Sequence, residues 1–228
     1  VFPEFLTPRK VNHFMILPDP AFLKQTNSLD YFHWNYQFPI KYIQRFRFQA
    51  ILKMLGQQPV ESILEVGTGS GIFLPELSRH CRDLHACDVH NNMGAVEEMC
   101  RLTETKATLR TCPLENTGYP DAKFDIVIAV SVLEFVDNLD QSLREIQRIL
   151  KPGGHFLTIC PHKSEALDYV LSFYSRKKPN EEFGDARSKV CPSLEKNFKV
   201  IEKRVFPGII GRVLPVYNYY KLGRTATV

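Results

Sequence analysis

The chain has 228 residues, 44% hydrophobic and 24% charged, an ordinary globular make-up that fits one α/β domain with decorations or at most two small domains. Its formal charge of +4 does not demand a nucleic-acid partner, although it permits an anionic ligand or a peripheral contact with a membrane surface. No apolar run nears the roughly 20 residues needed to span a bilayer. The longest, Ile126 to Val136, is interrupted by Glu134.

Six scattered cysteines without a C-x-x-C pair argue against a disulfide framework or a metal site and for a reducing, cytoplasmic home. No signal-peptide pattern is visible at the start.

In chain order, residues 1–38 are rich in proline and aromatics and read as an arm with a short helix. Pro39 suits the first turn of the next helix and Gly56 its end. Between them Ile43, Phe46, Ala50 and Met54 form one stripe, with Phe48, Ile51, Leu52 and Leu55 beside it. A face that wide predicts packing against a sheet. The pattern then alternates: strand Ser62–Val66, helix Gly71–His80, strand Leu84–Asp88, helix Asn92–Leu102, strand Ala107–Thr111. Phe124–Val130 is continuously apolar, as a central parallel strand should be. Asn138 caps a helix whose buried face is Leu139, Leu143, Ile146 and Leu150. Lys151 to Gly154, KPGG, stops it, and His155–Cys160 is another strand.

Such βαβα alternation predicts a doubly wound parallel sheet. Beyond it we expect a helix at Glu165–Arg176, a polar loop from Arg176 to Lys189, and strands at Val200–Phe206 and Val213–Lys221.

Chemistry concentrates in ILEVGTGSGI, Ile63 to Ile72. Glycines at a strand-to-helix turn let the backbone approach a ligand more closely than a Cβ allows. Asp88, at the end of the second strand, is placed to accept both hydroxyls of a ribose. Together they point to an adenosine-type ligand. Dinucleotide sites favour G-x-G-x-x-G, which seats a pyrophosphate on the helix N-terminus. Here the spacing is G-x-G-x-G, and Glu65 before it suits an ammonium or sulfonium better than a pyrophosphate.

Four pieces in register, LEVGTGSG (64–71), CDV (87–89), FDIVIAVSVLEFV (124–136) and LREIQRILKPGGHFLTI (143–159), resemble the class I S-adenosylmethionine-dependent methyltransferases, small-molecule branch. The resemblance covers about residues 60–161. It implies an α/β, Rossmann-like, doubly wound seven-stranded sheet, mostly parallel with an antiparallel last strand. It also implies a catalytic domain over 57–228, with 162–199 a helix and variable loop insertion, and an arm and helix over 1–56 serving as a lid.

The cofactor implied is S-adenosylmethionine. Carried over, Gly67, Thr68 and Gly69 lie against its methionine part and ribose, with Glu65 at the amino end and Asp88 on the ribose hydroxyls. Val89 and Met93 flank the adenine, and the backbone at Ala129 and Val130 faces the ammonium. Two positions depart from the family's pattern. Pro113 stands where many relatives carry an aspartate for the adenine amine, leaving Cys112, Pro113 and Leu114 to frame that end. Phe135 stands where many carry histidine, on the rim of the acceptor pocket.

Methyl transfer needs a general base only if the acceptor must lose a proton. The candidates are His162, past the fifth strand, and His33 in the arm; each also reads as an ordinary loop histidine. Tyr31, Phe32, Trp34 and Tyr36 are the candidates for an aromatic lid over a flat acceptor, with Tyr31 and Tyr36 preferred to Trp34. KYIQRFRF (41–48) interleaves cations and aromatics, as a phosphate- or lipid-bearing acceptor, a membrane surface or a plain amphipathic helix would all explain. A nucleic-acid substrate is disfavoured: the D/N/S-P-P-Y/F signature of base-amine methylation is missing and the basic charge is diffuse.

The expected function is transfer of a methyl group to a small, partly apolar molecule. The lack of a motif-borne base mildly favours an acceptor that is already nucleophilic. Two other readings compete: a methyltransferase-like binding or regulatory protein without turnover, and a nicotinamide-dependent oxidoreductase.

Overall fold

The computed structural model describes residues 15, 17–162, 186–206 and 216–225. Seven strands form one sheet: β1 (Val60–Val66), β2 (Cys81–Asp88), β3 (Thr108–Thr111), β4 (Phe124–Val130), β5 (Leu150–Pro161), β6 (Lys199–Phe206) and β7 (Tyr217–Gly223). Their order is β3-β2-β1-β4-β5-β7-β6. β7 is antiparallel to both β5 and β6, and every pair among β1 to β5 is parallel. This is the seven-stranded, mostly parallel sheet with an antiparallel last strand that the resemblance implies.

Strand alternation sorts the apolar residues onto two covered faces. Ile63, Ile126, Ile128, Leu157 and Ile159 meet Phe48, Ile51, Met54 and Leu55 of α1 (Lys41–Leu55), with α2 (Leu74–Leu77) and α3 (Met93–Leu102) alongside. Leu64, Val127, Phe156 and Tyr220 meet Leu143, Ile146 and Ile149 of α4 (Leu139–Ile149) and Val190 and Leu194 of α5 (Ala186–Asn197). α1 ends where Gly56 takes φ +88° and its N–H donates to the Leu52 carbonyl. The Asn138 side chain accepts from Gln141 N at 3.1 Å, capping α4.

Three elements differ from expectation. The helix predicted over Gly71–His80 is regular α only at Leu74–Leu77, because Pro75 lacks an N–H and short turn bonds such as Leu74 N to Gly71 O flank it. KPGG lies inside β5, not before it: pairing starts at Leu150 opposite Phe124 and shifts register before Ile126. Gly154 is required there, since a Cβ would come within 3.0 Å of the Asp125 and Lys151 carbonyl oxygens. The polar loop predicted up to Lys189 already enters α5 at Ala186. The predicted helix at Glu165–Arg176 lies outside the described residues.

Candidate functional site

Parallel strands deliver their following turns to one edge of the sheet, where doubly wound folds bind ligands. A cavity of about 450 Å³ opens at that edge. Its floor comes from the turns after β1, β2, β3 and β4, its far side from Pro161 and Tyr217, and its wall from the arm and α1.

The β1 turn needs its glycines. Gly67 has φ +70° and Gly69 φ +52°, and a Cβ on Gly67 would stand 2.3 Å from a methyl of Val132. The Gly69 N–H donates to Asp88 Oδ2 at 2.8 Å, and the Val89 N–H donates to Oδ1 at 2.7 Å. These two bonds fix the carboxylate on the rim beside the turn. Glu65 is buried and accepts from the Thr68 hydroxyl at 2.8 Å. Burial pushes its carboxyl up to about 8, against the Thr68 hydrogen bond and with the help of the Asp88 charge.

Of the residues singled out in the sequence, Glu65, Gly67, Thr68, Gly69, Asp88, Val89, Cys112, Pro113, Leu114 and Val130 line this one cavity, together with Tyr31 and Phe135. Five others do not line it. Met93 opens α3 and is buried in the first core cluster. Ala129 lies within the ladder, paired with Val66 and Thr158. Tyr36 turns its hydroxyl to the Pro18 carbonyl at 2.6 Å, and burial pushes its phenol up to about 12. His33 stands edge-on to Tyr31 and Trp34. His162 gives its backbone N–H to Val216 O at 2.8 Å.

Several lining residues carry no motif. Trp34 is buried and stacks on Tyr31 with ring centroids 4.3 Å apart. Asp30 reaches from the arm to the β1 turn, its Oδ1 3.5 Å from the Ser70 hydroxyl. Its other oxygen accepts from both N and Oγ1 of Thr26 at 3.1 Å. Arg47 donates from Nη1 to the Ser131 hydroxyl at 3.2 Å and from Nη2 to Gln44 Oε1. Glu134 and Asn35 complete the set. Of these, Glu134 stood out in the sequence as a carboxylate inside an apolar run and Arg47 as part of the interleaved stretch 41–48, whereas Trp34, ranked below Tyr36 as a lid residue, lines the cavity and Tyr36 does not.

Residues 64–158 match the family described as methyltransferase domain. Over these residues the chain carries a methyltransferase domain, with the fold of the class I S-adenosylmethionine-dependent enzymes. Among curated relatives of this domain, a polyketide synthase-nonribosomal peptide synthetase of Pyricularia grisea is 31% identical over 178 residues, 72% of this chain but 4% of that protein. The sterol 4-C-methyltransferase strm-1 of Caenorhabditis elegans is 26% identical over 139 residues, 56% of this chain and 42% of that protein. The chain thus spans under half of either relative. A solved S-adenosylmethionine-dependent methyltransferase of Aquifex aeolicus shares the methyltransferase fold at TM-score 0.62 and 20% identity, over 82% of this chain and 99% of that one.

The methyltransferase cavity suits its cofactor on its own chemistry. It offers a glycine turn without Cβ atoms, an anchored carboxylate at a strand end, and a buried carboxylate that a cation would return to its charged form.

Proposed function

We propose that the protein transfers the methyl group of S-adenosylmethionine to a small, partly apolar acceptor by in-line displacement. One observation carries this reading: the Gly67–Gly69 turn, Asp88 and buried Glu65 border the same cavity as an aromatic wall of Tyr31, Trp34 and Phe135. When bound, the cofactor supplies an electrophilic methyl on a sulfonium. This chain's residues then have to bind and orient. Asp88 holds the ribose hydroxyls, Glu65 faces the amino end, and the backbone of Gly67 and Gly69 allows close approach. Cys112, Pro113 and Leu114 frame the adenine end. The aromatic wall and Phe48 exclude water and align the acceptor, and a reacting atom held within about 3–3.5 Å accounts for much of the rate.

An apolar acceptor agrees with relatives whose names refer to sterols and polyketides. Among the described residues no helix is long and apolar enough to cross a membrane.

Calorimetry with S-adenosylmethionine and with S-adenosylhomocysteine is the deciding experiment, followed by transfer of labelled methyl to a panel of phenols, amines and enolisable ketones. We expect both nucleosides to bind. Binding of neither would sink the enzyme reading, and tight binding without transfer to any acceptor would favour a regulatory protein.

A further inference from the structure

Two residues that line the cavity carry buried hydrogen-bond acceptors. Glu134 is 5% exposed, and apart from its own backbone N–H its carboxylate has no hydrogen-bond partner among the described residues. Asn35 is 2% exposed; its Nδ2 donates to Phe32 O at 3.0 Å, which turns Oδ1 away from that bond, and Oδ1 likewise has no partner among the described residues. Both residues line the cavity. Buried polar atoms are nearly always satisfied, so two such acceptors in one cavity ask for a ligand that brings donors.

The groups facing Glu134 do not remove that demand. They are Arg47 on α1, Arg187 and Cys191 on α5, Cys160 on β5 and Tyr217 on β7. Arg47 is engaged by Ser131 and Gln44, and its guanidinium lies over the rings of Phe48 and Tyr217. Burial outweighs both guanidiniums and pushes the Glu134 carboxyl up to about 7. A group so poised exchanges protons near neutral pH.

We infer that Glu134 and Asn35 form the polar end of the acceptor site. The acceptor is an apolar molecule whose reacting end is a hydroxyl or an amine, bound by giving its O–H or N–H hydrogens to these two oxygens. This rests on the methyl-transfer reading of the cavity. As the acceptor's heteroatom places its lone pair on the methyl carbon, the old carbon–sulfur electron pair stays on sulfur. The O–H or N–H proton passes to the Glu134 carboxylate.

The test uses whole protein saturated with S-adenosylhomocysteine and two probe pairs, titrated calorimetrically at pH 8. One pair is 2-naphthol with 2-methoxynaphthalene. The other is 2-(aminomethyl)naphthalene with its N,N,N-trimethylammonium derivative. At least one donor-bearing member should bind at least tenfold more tightly than its methylated partner, and the pair that shows it tells hydroxyl from amine. Glu134→Gln should cut that preference to under threefold. For the wild type the naphthol preference should fall as pH drops below about 7, and stay flat in the variant.

Equal affinities within both pairs, absence of binding included, would overturn the inference and point to ordered water on these oxygens. A preference that survives in Glu134→Gln overturns it too. So does a variant whose only change is a lower melting temperature, the mark of a structural role. If S-adenosylhomocysteine itself fails to bind, the methyl-transfer reading falls first and this inference with it.

Discussion

At the scale of single residues, the site turns on what burial does to Glu65. Its carboxyl rises from 4.5 to about 8 in the folded chain, with burial the largest cause. A folded value above the unfolded one means that the stability contributed by this group is whole below about 4.5 and fades as pH climbs through about 8. Glu65→Gln should therefore flatten the fall in melting temperature of the unliganded protein between pH 5 and 8, as read by scanning calorimetry. A cationic ligand reverses the preference and draws Glu65 into its charged form. Binding of S-adenosylmethionine at pH 7 should release a proton, seen as an apparent enthalpy that varies with the ionisation enthalpy of the buffer. The variant should show a weaker affinity and lose the Glu65 part of that variation.

Gly67 is limited by conformation and by space at once, with φ +70° and Val132 in the way of any side chain. Gly67→Ala should cost about 1–3 kcal/mol in denaturant titrations, the range for a strained backbone residue. Adding Val132→Ala should recover only part of this, because the φ strain stays. Glu65, the glycines and Asp88 were legible in the sequence because each acts within a few residues of a strand end. Asn35 was not, since its surroundings come from distant segments, and Arg47 was visible only as one cation of the interleaved stretch 41–48.

At the scale of elements, alternation and capping revealed most of the sheet, and the misses have local causes. α5 was hidden because Pro192 stands inside it and charged residues cover its outer face. Only once it is docked do Val190, Leu194 and Phe198, four residues apart, show as one buried stripe against α4 and β5. Leu194 has no exposed surface, so Leu194→Ala should cost about 2–5 kcal/mol in equilibrium unfolding. The start of β5 was hidden for the opposite reason. Proline and paired glycines normally end structure, yet here Gly154 lets the strand pass close over the backbone of β4. β7, expected at Val213–Lys221, is described at Tyr217–Gly223, where its pairing with both β5 and β6 sets its limits.

At the scale of the whole molecule, the cavity is a joint product of the β-strand edge, α1 and the arm. The arm reaches the glycine turn through Asp30, and burial raises the carboxyl of that residue above its ordinary value. If the arm closes as a lid, amide hydrogen exchange across residues 27–35 should slow when S-adenosylhomocysteine is added. Unchanged exchange would make the arm a fixed wall. Ligand occupancy should also raise the global stability, by about 2.7 kcal/mol at a ligand concentration of 100 Kd. Asp88→Ala should remove most of that gain in a thermal-shift titration.

By itself the sequence determined the alternating fold, the glycine turn and the two carboxylates that follow from it, because these depend on side-chain period and on backbone freedom over short spans. Only the tertiary structure decided which residues share the acceptor end. Burial and an unmet hydrogen bond are properties of everything packed around a group. Glu134 in a row of letters is a break in an apolar run; enclosed by α1, α5, β5 and β7 it becomes a carboxylate that needs a donor.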